Sequence, residues 1–357
     1  MLCTIGLSKM AGGLERNLIY LSSYLAELGN DVLIVTFDKQ NTDCFFKMDR
    51  RVTWIALGLS KPHTKISSIE KIRLVCSLRA TIKSYNVEKI ICFTHGLLSR
   101  VFLSSLALNV KIICTERNAL TMYDFLSQRK LSLNFILLNF VDIITVQFDA
   151  FKNDYPKWLH KKIKTVNNPV FQPSKKLKRF NPVLISVGRL CSQKQFDILI
   201  SAFDSVRKVS PEWSLLIIGE GDKKVELETQ IKSLGLGACV SIQPPKKNIF
   251  TLYQRATFFV STSQWEGFPN AMAEAMAHGL IAVGFKQTAG VSKLILHETN
   301  GILIDGQPDA FRLAETLKRE INNSQRWVKM SSEATSISKI YSVENWKRQW
   351  KETLLTI

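Results

Sequence analysis

The sequence has no long apolar run, no closely spaced cysteines and a shortage of acidic residues. Its apolar runs are well short of the ~18–20 residues that span a bilayer, and its N-terminus has neither a basic start nor a small-residue cleavage site. We therefore expect no transmembrane helix and no secretory signal. The seven cysteines include no C-x-x-C pair, which argues against a zinc site and a disulfide framework. A reducing cytoplasm fits this use of cysteine.

Positive charge is in excess, with 48 Lys and Arg against 30 Asp and Glu and a formal charge of +18. Residues 1–170 hold 23 basic and 13 acidic residues, a net +10, so the surplus is spread over both halves. Such a balance suits phosphorylated small molecules, anionic lipid or nucleic acid. A soluble protein whose basic surface has no anionic partner is the alternative. We expect no nucleic-acid partner, because no stripe of basic residues interleaved with aromatics is visible.

Short apolar runs alternate with helical patterns, which predicts βαβ units and an α/β fold of doubly wound parallel sheets. Strands are predicted at 2–7, 31–37, 89–94, 111–115, 142–146, 183–187, 214–219, 240–242, 257–261, 280–284 and 301–304, and helices at 14–28, 67–84, 196–208, 223–234 and 270–278. A linker is predicted at 166–182, where three prolines and four basic residues interrupt the alternation. Since a single core stops growing near ~250–300 residues, we expect two Rossmann-like domains with a ligand cleft between them, beyond the carboxyl ends of the strands.

The strongest local motif is W-E-G-F-P-N-A-M-A-E-A at 265–275, which follows a predicted strand and opens a helix. Pro269 suits the first helical position, and the amides of a helix start attract phosphate. Glu266 precedes the helix and Glu274 lies inside it, so both carboxylates can face a ligand at the helix tip, where sugar hydroxyls are their natural partners. A helix-start acid and a solvated acid are the alternative interpretation.

This motif resembles the E-x7-E signature of the retaining glycosyltransferases of family 4, which have the GT-B fold. The resemblance implies that Glu266 contacts the donor sugar and is catalytic, and that Glu274 binds the ribose hydroxyls of the nucleotide. The segment between them then serves the donor sugar or diphosphate. Its implied donor-binding residues are Gly267, Phe268, Pro269, Asn270 and Ala271.

Two further motifs agree with the same family. The segment G-R-L-C-S-Q-K is similar to the family's GRL…QK segment, whose Arg and Lys, here Arg189 and Lys194, bind the donor diphosphate. Two cations beside a leaving diphosphate neutralise its developing charge, so both are expected to be catalytic. The turn I-I-G-E-G-D is similar to the segment beside the nucleotide base and adds Gly219 and Glu220 to the donor site. Solvated cations and an ordinary tight turn are the plainer interpretations.

The N-terminal half carries similar signals. G-G-L-E-R at 12–16 resembles the family's GGxER loop, which lies between donor phosphate and acceptor, and T-E-R-N at 115–118 resembles its SERN segment. The acceptor-side residues implied are Gly12, Gly13, Glu15, Glu116 and Arg117, with Gly13 also near the donor. His95 follows a predicted strand, where the family has a His near the donor sugar, and is the fourth catalytic candidate. A simple turn and a structural histidine remain open.

The resemblance further implies the division of the chain and the reaction. We expect an acceptor-binding domain at 1–168, a nucleotide-sugar-binding domain at 169–340 and a last helix at 341–357 that returns to the first domain. The reaction would be a front-face substitution without a protein nucleophile. No Asp-x-Asp is placed to hold a cation, so we expect no cofactor and no metal. A nicotinamide enzyme is excluded, because the chain lacks a strict G-x-G-x-x-G.

Partners and location complete the expectation. We expect the donor to be a UDP-linked sugar and the acceptor a polyprenyl-diphosphate-linked glycan of bacterial surface-polysaccharide assembly. We expect a cytoplasmic enzyme held on the inner face of the membrane by anionic lipid, through a basic-fringed apolar stripe at 65–84 or through 128–140. A core helix is the plainer interpretation of each segment. A nucleotide-sugar epimerase or hydrolase of the same fold, and a non-enzymatic basic binding protein, are the alternatives.

Overall fold

The computed structural model describes residues 1–8, 12–40, 43–58, 67–120, 133–173, 180–246 and 248–357. The chain divides into two compact units, Met1–Asn167 with Lys347–Ile357, and Asn168–Trp346. Each unit is built on a parallel β-sheet whose strands alternate with helices along the chain. The predicted fold class, with two doubly wound parallel-sheet domains, is therefore confirmed.

The first unit has a seven-stranded sheet in the order β3-β2-β1-β4-β5-β6-β7. The strands are β1 (Leu2–Cys3), β2 (Val32–Thr36), β3 (Val52–Ala56), β4 (Lys89–Phe93), β5 (Lys111–Thr115), β6 (Ile143–Val146) and β7 (Ile163–Thr165). The helices are α1 (Gly13–Glu27), α2 (Ser68–Ser84), α3 (Leu98–Ser105) and α4 (Leu133–Leu137), with 3-10 turns at His95–Leu97, Asp149–Asp154 and Lys157–Lys162. Strands such as β2 and β6 are buried along their whole length, which explains their unbroken apolar sequences.

The second unit has a six-stranded sheet in the order β10-β9-β8-β11-β12-β13. The strands are β8 (Val183–Val187), β9 (Ser214–Ile218), β10 (Val240–Gln243), β11 (Phe258–Val260), β12 (Ile281–Phe285) and β13 (Gly301–Ile304). The helices are α5 (Phe196–Arg207), α6 (Lys224–Ser233), α7 (Phe250–Tyr253), α8 (Asn270–Ala277), α9 (Val291–Leu294), α10 (Ala310–Ile321), α11 (Trp327–Ala334) and α12 (Ile337–Ile340), with 3-10 turns at Ser192–Lys194 and Ser324–Arg326.

Both sheets reverse their strand order at one point, between β1 and β4 in the first unit and between β8 and β11 in the second. Ligands of doubly wound sheets bind beyond the carboxyl ends of the strands at such a point. Among the predicted site residues, His95 follows β4 and Arg189 follows β8, whereas Glu116 and Gly219 follow the neighbouring strands β5 and β9.

The last helix, α13 (Val343–Leu355), is attached to the first unit from Lys347 onward. The amide of Asn167 donates to Oε1 of Gln349 at 3.0 Å, and Nε2 of Gln349 donates to Oδ1 of Asn167 at 2.8 Å. Nζ of Lys89 donates to the carbonyls of Leu354 and Ile357 at 3.1 and 2.8 Å. The first unit is therefore completed by the last residues of the chain.

Most predicted elements lie within a residue or two of the observed ones, but the predicted strand at 2–7 is too long. The observed strand ends at Cys3, and the amides of Leu7 and Ser8 donate to Oδ2 of Asp38 at 2.7 and 3.3 Å instead of continuing the ladder. The predicted elements also did not include the strands β3 and β7 or the helices α3, α7, α9, α10, α11 and α12.

The predicted single apolar stripe at 65–84 is wrong in the described part of that segment. Leu74, Leu78 and Ile82 are buried, whereas Ile69 and Ile72 are 66% and 64% exposed on another side of α2. Residues 65 and 66 lie outside the described residues, as do 128–132 of the second predicted segment. None of the helices in the described ranges is long and apolar enough to cross a membrane.

Candidate active site

Two loops of the second unit, one after β8 and one after β11, are held together by hydrogen bonds. Nε2 of Gln193 donates to the carbonyl of Trp265 at 2.8 Å, and the amide of Gln264 donates to the carbonyl of Gln193 at 2.9 Å. Oγ1 of Thr262 donates to the carbonyl of Lys194 at 2.8 Å. The two loops are therefore joined to each other at the carboxyl ends of neighbouring strands.

An ion pair lies at the centre of these loops. Nζ of Lys194 contacts Oε1 of Glu266, and the two side chains are only 21% and 12% exposed. Oγ of Ser263 donates to the same carboxylate oxygen at 2.7 Å. Hydrogen bonds to an ionised group in a sheltered site are stronger than neutral ones, so this carboxylate is firmly held. The structure thus brings together two of the four predicted catalytic residues.

Close approach between backbones requires glycine at two places near this pair. A Cβ on Gly290 would lie 1.9 Å from the carbonyl oxygen of Gly267, and a Cβ on Gly219 would lie 1.9 Å from that of Gly188. Contacts this short exclude any larger residue. Gly219 therefore lets the loops after β8 and β9 meet, which gives it a packing role whatever it binds.

Helix α8 begins at Asn270, where the predicted helix begins, but Pro269 is its N-cap and not its first helical residue. Oδ1 of Asn270 accepts a hydrogen bond from Nδ2 of Asn168 at 2.9 Å, and the buried ring of Phe268 meets Tyr341 edge-on, with 5.2 Å between centroids. This helix start can bind a ligand through its backbone amides and its partial positive charge.

The remaining predicted donor-site residues of this unit differ in exposure. Glu274 is buried in α8, whereas Arg189 and Glu220 are exposed. Within the described part of the chain, the Arg189 guanidinium has no hydrogen-bond or ion-pair partner, so this cation is available to an anionic ligand. The Glu220 carbonyl accepts from the amide of Leu190 at 2.8 Å.

In the first unit, His95 lies in a fully buried polar cluster after β4. Its Nδ1 lies 3.2 Å from Oε2 of Glu116, and its Nε2 lies 3.2 Å from the hydroxyl of Tyr155. The other oxygen of Glu116 accepts from the amides of Arg117 and Asn118 at 2.7 and 2.8 Å. Burial lowers the pKa of His95 although Glu116 opposes the shift, so the ring is neutral near pH 7. Its two nitrogens face protein groups.

Of the other predicted acceptor-side residues, Glu15 and Arg117 are also buried, whereas Gly12 and Gly13 are half-buried. The Arg117 guanidinium lies 5.3 Å from the ring centroid of Phe93 and 5.8 Å from that of Trp350, and burial lowers its pKa to about 10. Oε2 of Glu15 is folded back toward Gly12, where a Cβ would lie 2.0 Å from it. Carboxylates stabilise helix N-termini in this way, and α1 begins at Gly13.

The sequence analysis missed Ser263 and Tyr155. Ser263 precedes Glu266 by three residues, and hydroxyl side chains at such spacing commonly bond neighbouring groups, so a local signal was present. Tyr155 is 60 residues from His95, and no local pattern connects them.

Comparison with known proteins identifies relatives of this chain. Residues 169–336 match the family described as glycosyl transferases group 1. An uncharacterized glycosyltransferase of Haemophilus influenzae is 28% identical over 352 residues, which cover 96% of each chain. The amylovoran biosynthesis glycosyltransferase AmsD of Erwinia amylovora is 26% identical, again over 96% of each chain.

A more distant relative and a solved structure extend this picture. The Campylobacter jejuni enzyme named GalNAc-α-(1→4)-GalNAc-α-(1→3)-diNAcBac-PP-undecaprenol α-1,4-N-acetyl-D-galactosaminyltransferase is 22% identical over 97% of this chain and 96% of its own. The crystal structure of Anabaena HepE with UDP and glucose matches with a TM-score of 0.81 and 20% identity, over 100% of this chain and 99% of HepE. These matches support a glycosyltransferase of the GT-B fold. The likeness to HepE shows the fold alone.

One further histidine lies at the end of the helix that carries Glu274. His278 caps the C-terminus of α8, where its Nδ1 lies 2.8 Å from the carbonyl oxygen of Glu274 and its ring stacks on Phe250, with 4.9 Å between centroids. Burial lowers the pKa of His278 to about 4. The helix that carries Glu274 is therefore anchored by a neutral imidazole.

We predict that the folded state loses stability as pH falls from about 6.5, the usual pKa of His, toward 4. In that window the unfolded chain binds a proton that native His278 does not, so acid favours unfolding. We expect His278→Gln to remove about 1–2 kcal/mol of the loss between pH 7 and 4.5, after allowance for solvent screening. Urea unfolding at both pH values measures it. The exposed His297 of the same unit provides the control His297→Gln, and equal pH slopes for all three proteins would contradict the prediction.

Proposed function

We propose that this glycosyltransferase is a retaining enzyme of family 4 that moves a hexose or N-acetylhexosamine from a UDP-sugar to a lipid-linked or polysaccharide acceptor. The observation that carries the proposal is the Lys194–Glu266 pair beside the first turn of α8. A cation and helix-start amides suit a diphosphate, and a carboxylate suits sugar hydroxyls. One small site thus offers groups for both halves of a nucleotide sugar.

The donor roles follow from this chemistry. Arg189, exposed and without a protein partner in the described residues, and Lys194 would bind the diphosphate. Glu266 would accept hydrogen bonds from the transferred sugar, and Glu274 from the ribose. The complex of HepE with UDP and glucose supports UDP as the nucleotide part of the donor.

The transfer itself would be a front-face substitution. The bond between the anomeric carbon and the diphosphate oxygen breaks, and the acceptor oxygen bonds to that carbon on the same face, which retains configuration. The acceptor proton passes to the leaving phosphate. No protein nucleophile is needed, so the protein contributes position and electrostatic stabilisation. Because Arg189 and Lys194 supply positive charge beside the diphosphate, we also propose that no metal is required.

The acceptor is proposed from the relatives. AmsD is named for the biosynthesis of amylovoran, and the Campylobacter jejuni enzyme is named for an undecaprenol-diphosphate-linked glycan. These names support a polyprenyl-diphosphate-linked acceptor in surface-glycan assembly. Such an acceptor lies in the cytoplasmic membrane, so we propose peripheral attachment to its inner face.

We propose that exposed side chains of α2 make that attachment. Ile69 and Ile72 are largely exposed, and the exposed Lys71, Arg73 and Lys83 lie on the same helix. Apolar side chains with basic neighbours are typical of surfaces that bind anionic bilayers. Arg79 is different, because its Nη1 donates to the carbonyls of Ser104 and Leu106 at 3.1 and 2.6 Å and so holds α2 against the end of α3.

The function is tested by incubating the purified protein with a panel of radiolabelled nucleotide sugars and a polyprenyl-diphosphate acceptor. We expect Glu266→Gln to bind UDP but transfer little sugar, because it removes charge beside the reacting sugar. Arg189→Ala or Lys194→Ala should cost about 2–4 kcal/mol of transition-state stabilisation. Lys232→Ala, at an exposed lysine of α6, is the control. Near-parental transfer by all three site variants would refute the site, and free sugar without glycan elongation would indicate the epimerase or hydrolase alternative.

We predict that transfer survives an excess of EDTA, because protein cations rather than a metal would neutralise the leaving diphosphate. Transfer rates before and after chelation measure this. Loss of activity on chelation, restored by Mg²⁺ or Mn²⁺, would contradict it.

We predict that the protein sediments with vesicles containing anionic lipid at low salt and is released near ~0.5–1 M salt, where charge attraction is screened within a few ångströms. Changing Lys71, Arg73 and Lys83 together to Gln should weaken sedimentation and leave UDP affinity unchanged. The matched control changes the exposed Lys232, Lys246 and Lys329 of the second unit to Gln. Equal sedimentation of both triple variants would exclude α2 as the contact, and a parent that ignores anionic vesicles would favour a soluble acceptor.

A further inference from the structure

We infer that Ser263 is a positioning residue for Glu266, which fixes one carboxylate oxygen so that the other can accept hydrogen bonds from the sugar of the donor. The inference rests on the proposed function and deepens it. Ser263 would keep the orientation of the Glu266 carboxylate before and during donor binding.

The two oxygens of Glu266 have different surroundings. Oε1 accepts from both Nζ of Lys194 and Oγ of Ser263, whereas Oε2 has no hydrogen-bond partner among the described residues. A carboxylate has about four lone-pair sites and so gains from further donors. The oxygen that lacks protein donors is the one suited to sugar hydroxyls.

Ser263 is itself held from two sides. Oγ of Ser261 donates to Oγ of Ser263 at 3.3 Å, which leaves the Ser263 proton for Glu266. Oγ1 of Thr288 donates to the Ser263 carbonyl at 2.7 Å. All three hydroxyl residues are buried. The serine therefore presents a donor of fixed direction, as an oriented site requires.

This donor is needed because Lys194 would bind both Glu266 and the diphosphate of the donor. Lys194 contacts Glu266 in this structure, and a bound diphosphate would compete for the same ammonium group. A glutamate held by lysine alone would then be free to turn about its side-chain bonds. The Ser263 hydroxyl is neutral and buried, so a diphosphate does not compete for it as it does for lysine. It keeps Oε1 in place while Lys194 is shared.

The test compares Ser263→Ala, Ser263→Thr and the parent with UDP and with the UDP-sugar that the parent uses. We expect Ser263→Ala to lower kcat about tenfold or more, since a hydrogen bond to a charged group is lost. UDP affinity, measured by calorimetry, should stay within about twofold, because UDP lacks the sugar that Oε2 would bind. Ser263→Thr keeps the hydroxyl and should recover most of the lost kcat.

A matched control is Ser338→Ala, which removes another buried serine hydroxyl of the same unit, bonded to the Thr335 carbonyl at 2.9 Å. It should leave kcat and UDP affinity unchanged. Parental kcat in Ser263→Ala would overturn the inference and leave the proposed function standing. An equal loss of UDP and UDP-sugar affinity, with no rescue by threonine, would also overturn it, because that pattern indicates general disruption. A parent that neither binds nor turns over any nucleotide sugar would overturn the proposed function, and this inference with it.

Discussion

The arrangement of the second unit depends on the ion pair between Lys194 and Glu266. Two sheltered charges are costly unless they are paired and further hydrogen-bonded. Here the loop after β8 supplies the cation and the loop after β11 supplies the acid. Gln193 holds the loops together, because its side-chain amide donates to the loop after β11 and its carbonyl accepts from that loop. The pair also reduces the electrostatic repulsion between the carboxylate and a diphosphate bound beside it. A lysine on that carboxylate lowers the repulsion and leaves the acid available to hydroxyl groups.

Much of the fold could be predicted from the sequence, because buried parallel strands are short, apolar and regularly spaced. The prediction was wrong about the end of a strand where that end depends on a residue distant in the sequence. Leu7 was predicted to continue β1, but the side chain of Asp38 accepts hydrogen bonds from the amides of Leu7 and Ser8. The apolar positions of α2 were read as one face, although Ile72 and Leu74 differ completely in exposure. Hydrophobic pattern indicates which residues can be buried, and tertiary packing decides which are.

The candidate site was predictable where the residues lie in one motif, as Glu266 and Glu274 do. The pairing of Lys194 with Glu266 was not, because the sequence placed each of them on a different part of the donor and said nothing of their distance. The same holds in the first unit, where His95, Glu116 and Tyr155 come from three separate segments. That cluster encloses the imidazole on both sides, so any part that His95 plays in the reaction is exerted from within a hydrogen-bonded network.

The attachment of α13 to the first unit has a consequence for how the protein is made. Trp350, which lies against the Arg117 guanidinium, and Gln349, which bonds Asn167, are synthesised only after the entire second unit. Domains commonly fold in order as they leave the ribosome. The first sheet therefore lacks Trp350 beside Arg117 until the residues after the second unit have been synthesised. All residues of the second unit are thus synthesised before the last residues of the first. An N-terminal half made without them would lack the tryptophan that lies against Arg117.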